Sequence, residues 1–126
     1  MRGILDTSVV IASAVAGLPD EAAISAATIA ELHLGVHLAR TDEVRRQRLR
    51  RLAEIESHFT ALPIDSAVAR AYGELASLTV AAGRKARTRT MDLLIAATAR
   101  SQGVPLYTRN TQDFSPFAEV IEIVEL

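Results

Sequence analysis

Five short apolar segments recur along this chain: "GIL", "AAIS", "ALPI", "VPLYT" and "VIEIV". Stretches with helical periodicity or turn chemistry separate them. That alternation constrains the fold more than any other feature. Strands joined through helices form a parallel sheet, and a parallel sheet must be covered on both faces. We therefore expect an α/β fold, a three-layer sandwich in a single domain spanning residues 1–126. The expected strands are residues 2–6, Ala22–Ser25, the "ALPID" segment, "VPLYT" and "VIEIVEL". The expected helices are Thr7–Val15, Thr28–Ala39, Glu43–His58, one from a cap at Asp65 or Ser66 to Gly83, and Asp92–Gln102 closed by Gly103. "GRKARTRT" reads as a basic loop and "RNTQDFSPF" as a loop or short helix.

The first strand ends in Asp6, with Thr7 and Ser8 directly behind it. A carboxylate at the end of a buried strand is unfavourable unless something pairs with it, and nothing nearby in sequence neutralises Asp6. In α/β sheets, ligands bind beyond the carboxyl ends of strands, where the strand order reverses. Thr108, Arg109 and Asn110 end the "VPLYT" strand, so neighbouring strands would bring these polar tips together.

Three more acids stand at comparable positions: Glu31 at the start of its helix, Asp92 in the first turn of its helix, and Asp113 after "YTRN". Each also has a local explanation. Thr28-x-x-Glu31 is a capping-box pattern, Asp92 complements a helix dipole, and Asp113 ends a turn. Together, however, the four fall on one edge of the expected sheet. Clustered carboxylates repel, and a hard divalent cation relieves the repulsion. Oxygen-only ligands suit magnesium or manganese. The chain has no cysteine, which excludes disulfides and thiolate metal sites and fits a reducing cytoplasm. His33 and His37 lack the order of a zinc pair and read as surface residues. Gly35, one turn beyond Glu31, suggests open space or a close approach on that helix face.

The formal net charge is −1, but its distribution says more. Setting the four acids aside leaves eleven of the 15 Asp and Glu against 14 Lys and Arg, an excess of three positive charges. Arg45, Arg46, Arg48, Arg50 and Arg51 crowd one segment, which reads as a solvated helix face. Arg84, Lys85, Arg87 and Arg89 crowd another, a basic loop and a candidate nucleic-acid-binding patch. The longest uncharged stretch, Thr7 to Pro19, is too short to span a bilayer, and Asp6 breaks any likeness to a secretion leader. No membrane association is expected.

The segments "ILDTSVVIA", "TIAELHLGV", "TMDLLIAATA" and "LYTRNTQDF" together resemble the PIN-domain ribonucleases, with the nearest likeness to VapC-like toxins of type II toxin–antitoxin systems. The resemblance spans essentially the whole chain. It implies a five-stranded parallel sheet in the order 3-2-1-4-5 flanked by helices. It also implies Mg2+- or Mn2+-dependent endoribonuclease activity that leaves 5′-phosphate and 3′-hydroxyl ends. The implied partners are RNA, a second copy in a homodimer, and a cognate small antitoxin with which it forms larger assemblies. Asp6, Glu31 and Asp92 match the family's three invariant acids. Asn110 stands where relatives often carry Asp, so the fourth-ligand role falls either to Asn110 or to Asp113, directly or through water. Thr7, Ser8 and Thr108 match supporting hydroxyls.

Two other readings compete with this one. A PIN-fold interaction module with a degraded site rests on Asn110 alone. A receiver-type α/β protein also carries an Asp after its first strand, but it needs a second acid close by and a lysine after a late strand. Here "DTS" supplies no second acid, and Lys85 is the only lysine.

Overall fold

The computed structural model describes residues 2–12 and 15–126. Strands β1 (Arg2–Leu5), β2 (Glu21–Ser25), β3 (Thr60–Leu62), β4 (Leu106–Thr108) and β5 (Ile123–Glu125) form one sheet in the order β3-β2-β1-β4-β5. Every pairing is parallel, including Leu5 against Ile24 and Leu5 against Tyr107. The expected order and sandwich are observed. The helices are α1 (Thr7–Val10), α2 (Ala26–His37), α3 (Asp42–His58), α4 (Ser66–Ala81) and α5 (Thr90–Gln102). Two 3-10 segments, Ala86–Arg89 and Thr111–Phe117, occupy the basic loop and the stretch after β4.

Strand alternation builds the two faces. Ile4 and Leu106 join Val68, Leu75, Leu93, Ala96 and Phe114 in one core, under α4 and α5. Their neighbours Leu5 and Tyr107 join Ile24, Val9, Val10 and Ile55 in the other, under α1 and α3. Alanines dominate the buried face of α5, which lets it lie close to α4 and the sheet. Gly3 admits the Tyr107 ring, because a Cβ there would overlap the ring carbons.

Several boundaries differ from expectation. The helix after Asp6 is only four residues long, Thr7–Val10, with Ile11 closing it. Of its expected remainder, residues 13 and 14 lie outside the described residues. Helix α2 starts at Ala26 rather than Thr28, because Ser25 caps it by accepting the Ala27 amide at 3.0 Å. Helix α5 starts at Thr90 rather than Asp92. The glycine stops are as expected. Gly83 takes φ 79°, and the Gly83 and Arg84 amides reach the Val80 and Thr79 carbonyls, a Schellman closure of α4. Gly103 closes α5 in the same manner.

The arginines of α3 are not simply a solvated face. Arg48 donates to the Gly35 carbonyl at 2.6 Å, and Arg51 donates to the Val10 carbonyl at 3.1 Å. Arg45 reaches the Ala39 carbonyl at 3.4 Å. They tie α3 to α2 and to the end of α1.

Candidate active site

The site grows from the carboxyl ends of β1 and β4. Asp6 is only 5% exposed, yet both of its oxygens are occupied. Oδ1 accepts the Ser8 hydroxyl at 2.6 Å and the Val9 amide at 3.2 Å; Oδ2 accepts the Thr108 hydroxyl at 2.6 Å. Each hydroxyl is itself anchored by backbone leaving β4. The Arg109 amide donates to Ser8 Oγ at 3.1 Å, and the Asn110 amide donates to Thr108 Oγ1 at 2.9 Å. Hydrogen bonds to a carboxylate favour its charged form. They satisfy both oxygens of the buried Asp6 carboxyl and fix its orientation. Asp6 is also the N-cap of α1, a role that its place at a strand end does not announce.

Glu31 stands one turn further into α2 than expected, as the sixth helical residue. Thr28 lies inside the helix, so the capping-box pattern is not used. Instead Glu31 Oε1 accepts the Thr7 hydroxyl at 2.7 Å, and Thr7 Oγ1 lies 3.1 Å from Thr28 Oγ1. A hydroxyl has one proton. Since Thr7 gives its own to Glu31, the buried Thr28 hydroxyl donates to Thr7. Thr28 thus belongs to the site's hydrogen-bond network. Its spacing from Glu31 is plain in the sequence, but there it reads as capping.

Asp92 joins these acids from α5, and Asp113 from the segment after β4. The Asp92 carboxyl is pushed up to about 6, chiefly by burial and then by Asp113, Glu31 and Asp6; Arg89 pulls the other way. Asp6, Glu31 and Asp113, all distant from it in sequence, therefore lie close enough to act on Asp92. The donor set is oxygen alone, and a divalent cation would offset the repulsion that, after burial, raises Asp92. Among the described residues no three acidic or histidine side chains are already gathered tightly enough to hold an ion. Loading one therefore requires side-chain movement.

Asp113 pairs with Arg89 at 3.6 Å. Asn110 is exposed and lines a polar hollow of about 370 Å³ together with Arg109, Thr111, Gln112, Asp113 and Glu125. The four basic residues of the expected RNA patch differ in their surroundings. Arg84 donates to the Gln112 carbonyl at 2.9 Å and to Ser115 Oγ at 3.2 Å, bracing the 3-10 segment that carries Asp113. Lys85 and Arg87 are exposed. His33 Nε2 lies 3.1 Å from Glu56 Oε1, on the outer surface. Gly35 makes no tight approach: a Cβ there would meet nothing within 4 Å. It opens instead onto an apolar pocket of about 200 Å³, lined by Ile11, Leu32, Leu52 and Ile55 and bordered by Glu31, Arg48 and Arg51. A larger hollow of about 600 Å³ lies at the opposite, amino-terminal edge of the sheet, where none of the four acids reaches.

A parallel sheet in this order, with acidic side chains near its carboxyl edge, makes this an α/β protein. The family model of the PIN domain matches residues 4–120. Ribonuclease VapC5 of Mycobacterium tuberculosis is 38% identical over 132 aligned residues, covering 98% of this chain and 95% of that protein. Ribonuclease VapC8 of the same species is 39% identical over 101 residues, covering 77% of this chain and 89% of that protein. The crystal structure of VapBC-5 from M. tuberculosis, a member of the VapBC family of toxin–antitoxin systems, matches with a TM-score of 0.87 at 37% identity. That match covers 99% of this chain and 98% of the other. The chain belongs to the PIN domain family.

Proposed function

We propose that this protein is the toxin of a VapC-type toxin–antitoxin pair, an endoribonuclease that uses Mg2+ or Mn2+ to hydrolyse RNA phosphodiester bonds. The observation that carries this reading is Asp92, half-buried and raised to about 6 by burial together with three other carboxylates. Such a group is out of balance until a cation joins it. Asp6 and Asp92 are the principal ligands in this reading, with Glu31 and Asp113 completing the set directly or through water. When bound, the ion activates a water and offsets charge building on the phosphoryl oxygens. Asp6 is held in one orientation by Ser8, Thr108 and the Val9 amide, so its own orientation is set before an ion arrives. Glu31, steadied by Thr7, is the acid placed to take the nucleophile's proton. Lys85, Arg87 and Arg89 give the RNA backbone a basic approach, and Arg84 supports it from below.

The partner surface is part of the same reading. Leu34, Leu38 and Leu49 are 58%, 66% and 47% exposed, on or at the end of α2 and α3, the two helices that supply most of the lining of the pocket at Gly35. Exposed leucines beside a pocket between two helices suit an amphipathic helix from an antitoxin. Glu31, on the pocket's border, would attract a basic side chain from the same partner. Dimerisation of the toxin belongs to this reading too. No helix among the described residues is long and apolar enough to cross a membrane.

The test is direct. Purified protein should cleave RNA with Mn2+ or Mg2+, stop on chelation, and lose activity in Asp6→Asn with its fold intact. Expression should arrest growth, and co-expression with a small neighbouring-gene product should restore it. Protein that binds no Mn2+, cuts no RNA and is harmless when expressed would favour the interaction-module reading.

A further inference from the structure

Arg89 differs from the other basic residues of its segment. Arg84 is held at two points by the 3-10 segment after β4, and Lys85 and Arg87 are exposed. Arg89 turns inward to the acids: its Nη1 lies 3.6 Å from Asp113 Oδ1. It immediately precedes Thr90, the first residue of α5. A cation there faces the positive end of the helix dipole, so nearby carboxylates must hold it in place. The fold fixes its backbone. Thr90 Oγ1 donates to the Arg87 carbonyl and Thr88 Oγ1 to the Lys85 carbonyl, both at 3.1 Å. Its ion pair, by contrast, is loose. The contact is longer than the Arg100–Glu74 bond at 2.9 Å, and both partners are partly exposed. Pairs of this kind are readily exchanged.

We propose that Arg89 is the residue that grips the scissile phosphate, parked on Asp113 until a divalent ion takes that carboxylate. This rests on the ribonuclease reading above. A site of four acids must admit a cation and then a polyanion, and a guanidinium that loses its carboxylate to the first is free to fork onto the second. Parked, Arg89 shields Asp113 from the ion; released, it supplies the donor that a phosphoryl oxygen needs as charge accumulates. The two roles predict opposite effects of removing it, which a bracing role would not.

The experiment compares wild type, Arg89→Gln and Arg89→Lys in two assays. Mn2+ binding is followed calorimetrically without RNA, and cleavage is followed at saturating Mn2+. Arg89→Gln should bind Mn2+ roughly two- to fivefold more tightly, as expected for loss of a partly exposed competing pair. Its kcat should fall by about a hundredfold. Arg89→Lys should keep near-wild-type Mn2+ affinity and recover only part of the cleavage, because an ammonium competes for Asp113 but cannot fork. Unchanged or weaker Mn2+ binding by Arg89→Gln, or full cleavage by it beside an active wild type, would overturn the role of Arg89 alone. Wild-type protein that binds Mn2+ but cuts no RNA would instead overturn the ribonuclease reading on which it rests.

Discussion

Asp92→Asn isolates the electrostatic strain of the site from its chemistry. The carboxyl moves from an ordinary 3.8 to about 6 in the fold, chiefly through burial and then through Asp113, Glu31 and Asp6. A raised acid binds its proton more tightly folded than unfolded, so stability falls as pH rises from about 4 to about 6 and stays lower above that. At 1.36 kcal/mol per pH unit the full penalty at neutral pH would be about 3 kcal/mol. Asp92 is only half-buried, and solvent screening reduces this to roughly 1–2 kcal/mol. The amide mimics the protonated acid and removes the penalty. Without metal at pH 7.5, Asp92→Asn should therefore melt about 3–8 °C above wild type. The two curves should converge near pH 4, where the wild-type carboxyl is protonated. Saturating Mn2+ should narrow or reverse the gap, because only the wild type retains the full ligand set to be stabilised by the ion. Calorimetry across pH 4–8, with and without Mn2+, measures all three. A variant that melts below wild type at pH 7.5 without metal, or a gap that does not change with pH, would refute the claim that burial and repulsion of this carboxylate strain the fold.

Glu31→Gln keeps an acceptor for the Thr7 hydroxyl, so its urea midpoint should stay close to wild type while RNA cleavage drops about a hundredfold or more; comparable cleavage rates would return Glu31 to a structural role. Ser25→Ala removes the α2 cap and a buried hydroxyl 3.1 Å from Thr98 Oγ1, and should lower stability by about 1–2 kcal/mol in urea unfolding. Gly3→Ala drives a methyl into the buried Tyr107 ring and should destabilise by about 1–3 kcal/mol, read as a lower melting temperature with unchanged metal affinity per folded molecule.

The parallel sheet is legible in the sequence because apolar strands alternate with periodic helices, and its order because four motifs stand in register with the PIN-domain pattern. Helix ends marked by unambiguous chemistry are legible too: Asp65 accepts the Val68 amide at 3.0 Å, and Gly83 and Gly103 take positive φ. The starts of α2 and α5 are not. Ser25 and Thr28 are both good caps, and the sequence offers no means of choosing between them. Burial decides: β2 runs to Ser25, whose hydroxyl is fully enclosed, and the chain can turn only there. Short α1 escapes a sequence reading because "TSVVIA" carries no glycine or proline to mark a stop, yet the helix closes at Ile11.

One misplaced turn has a functional consequence. With Thr28 as the cap, Glu31 falls at the position where a carboxylate commonly satisfies the helix's own amides. That makes a role in chemistry the less economical explanation. With Ser25 as the cap, Glu31 is the sixth residue of α2, past the free amides of the first turn, and capping no longer accounts for it. What remains is a hydroxyl chain from Thr28 through Thr7 that fixes one carboxylate oxygen, while Asp92, across the site on α5, is raised in part by that same acid. Hydroxyls on α1, α2 and β4 divide this support between the two acids. Thr7 steadies Glu31, and Ser8 and Thr108 steady Asp6. In a chain poor in aromatics and free of cysteine, small hydroxyl side chains are the means of holding charge at the edge of an alanine- and leucine-rich core. They do so without adding cations that would compete for the carboxylates, and Arg89 stays on a 3.6 Å contact with Asp113.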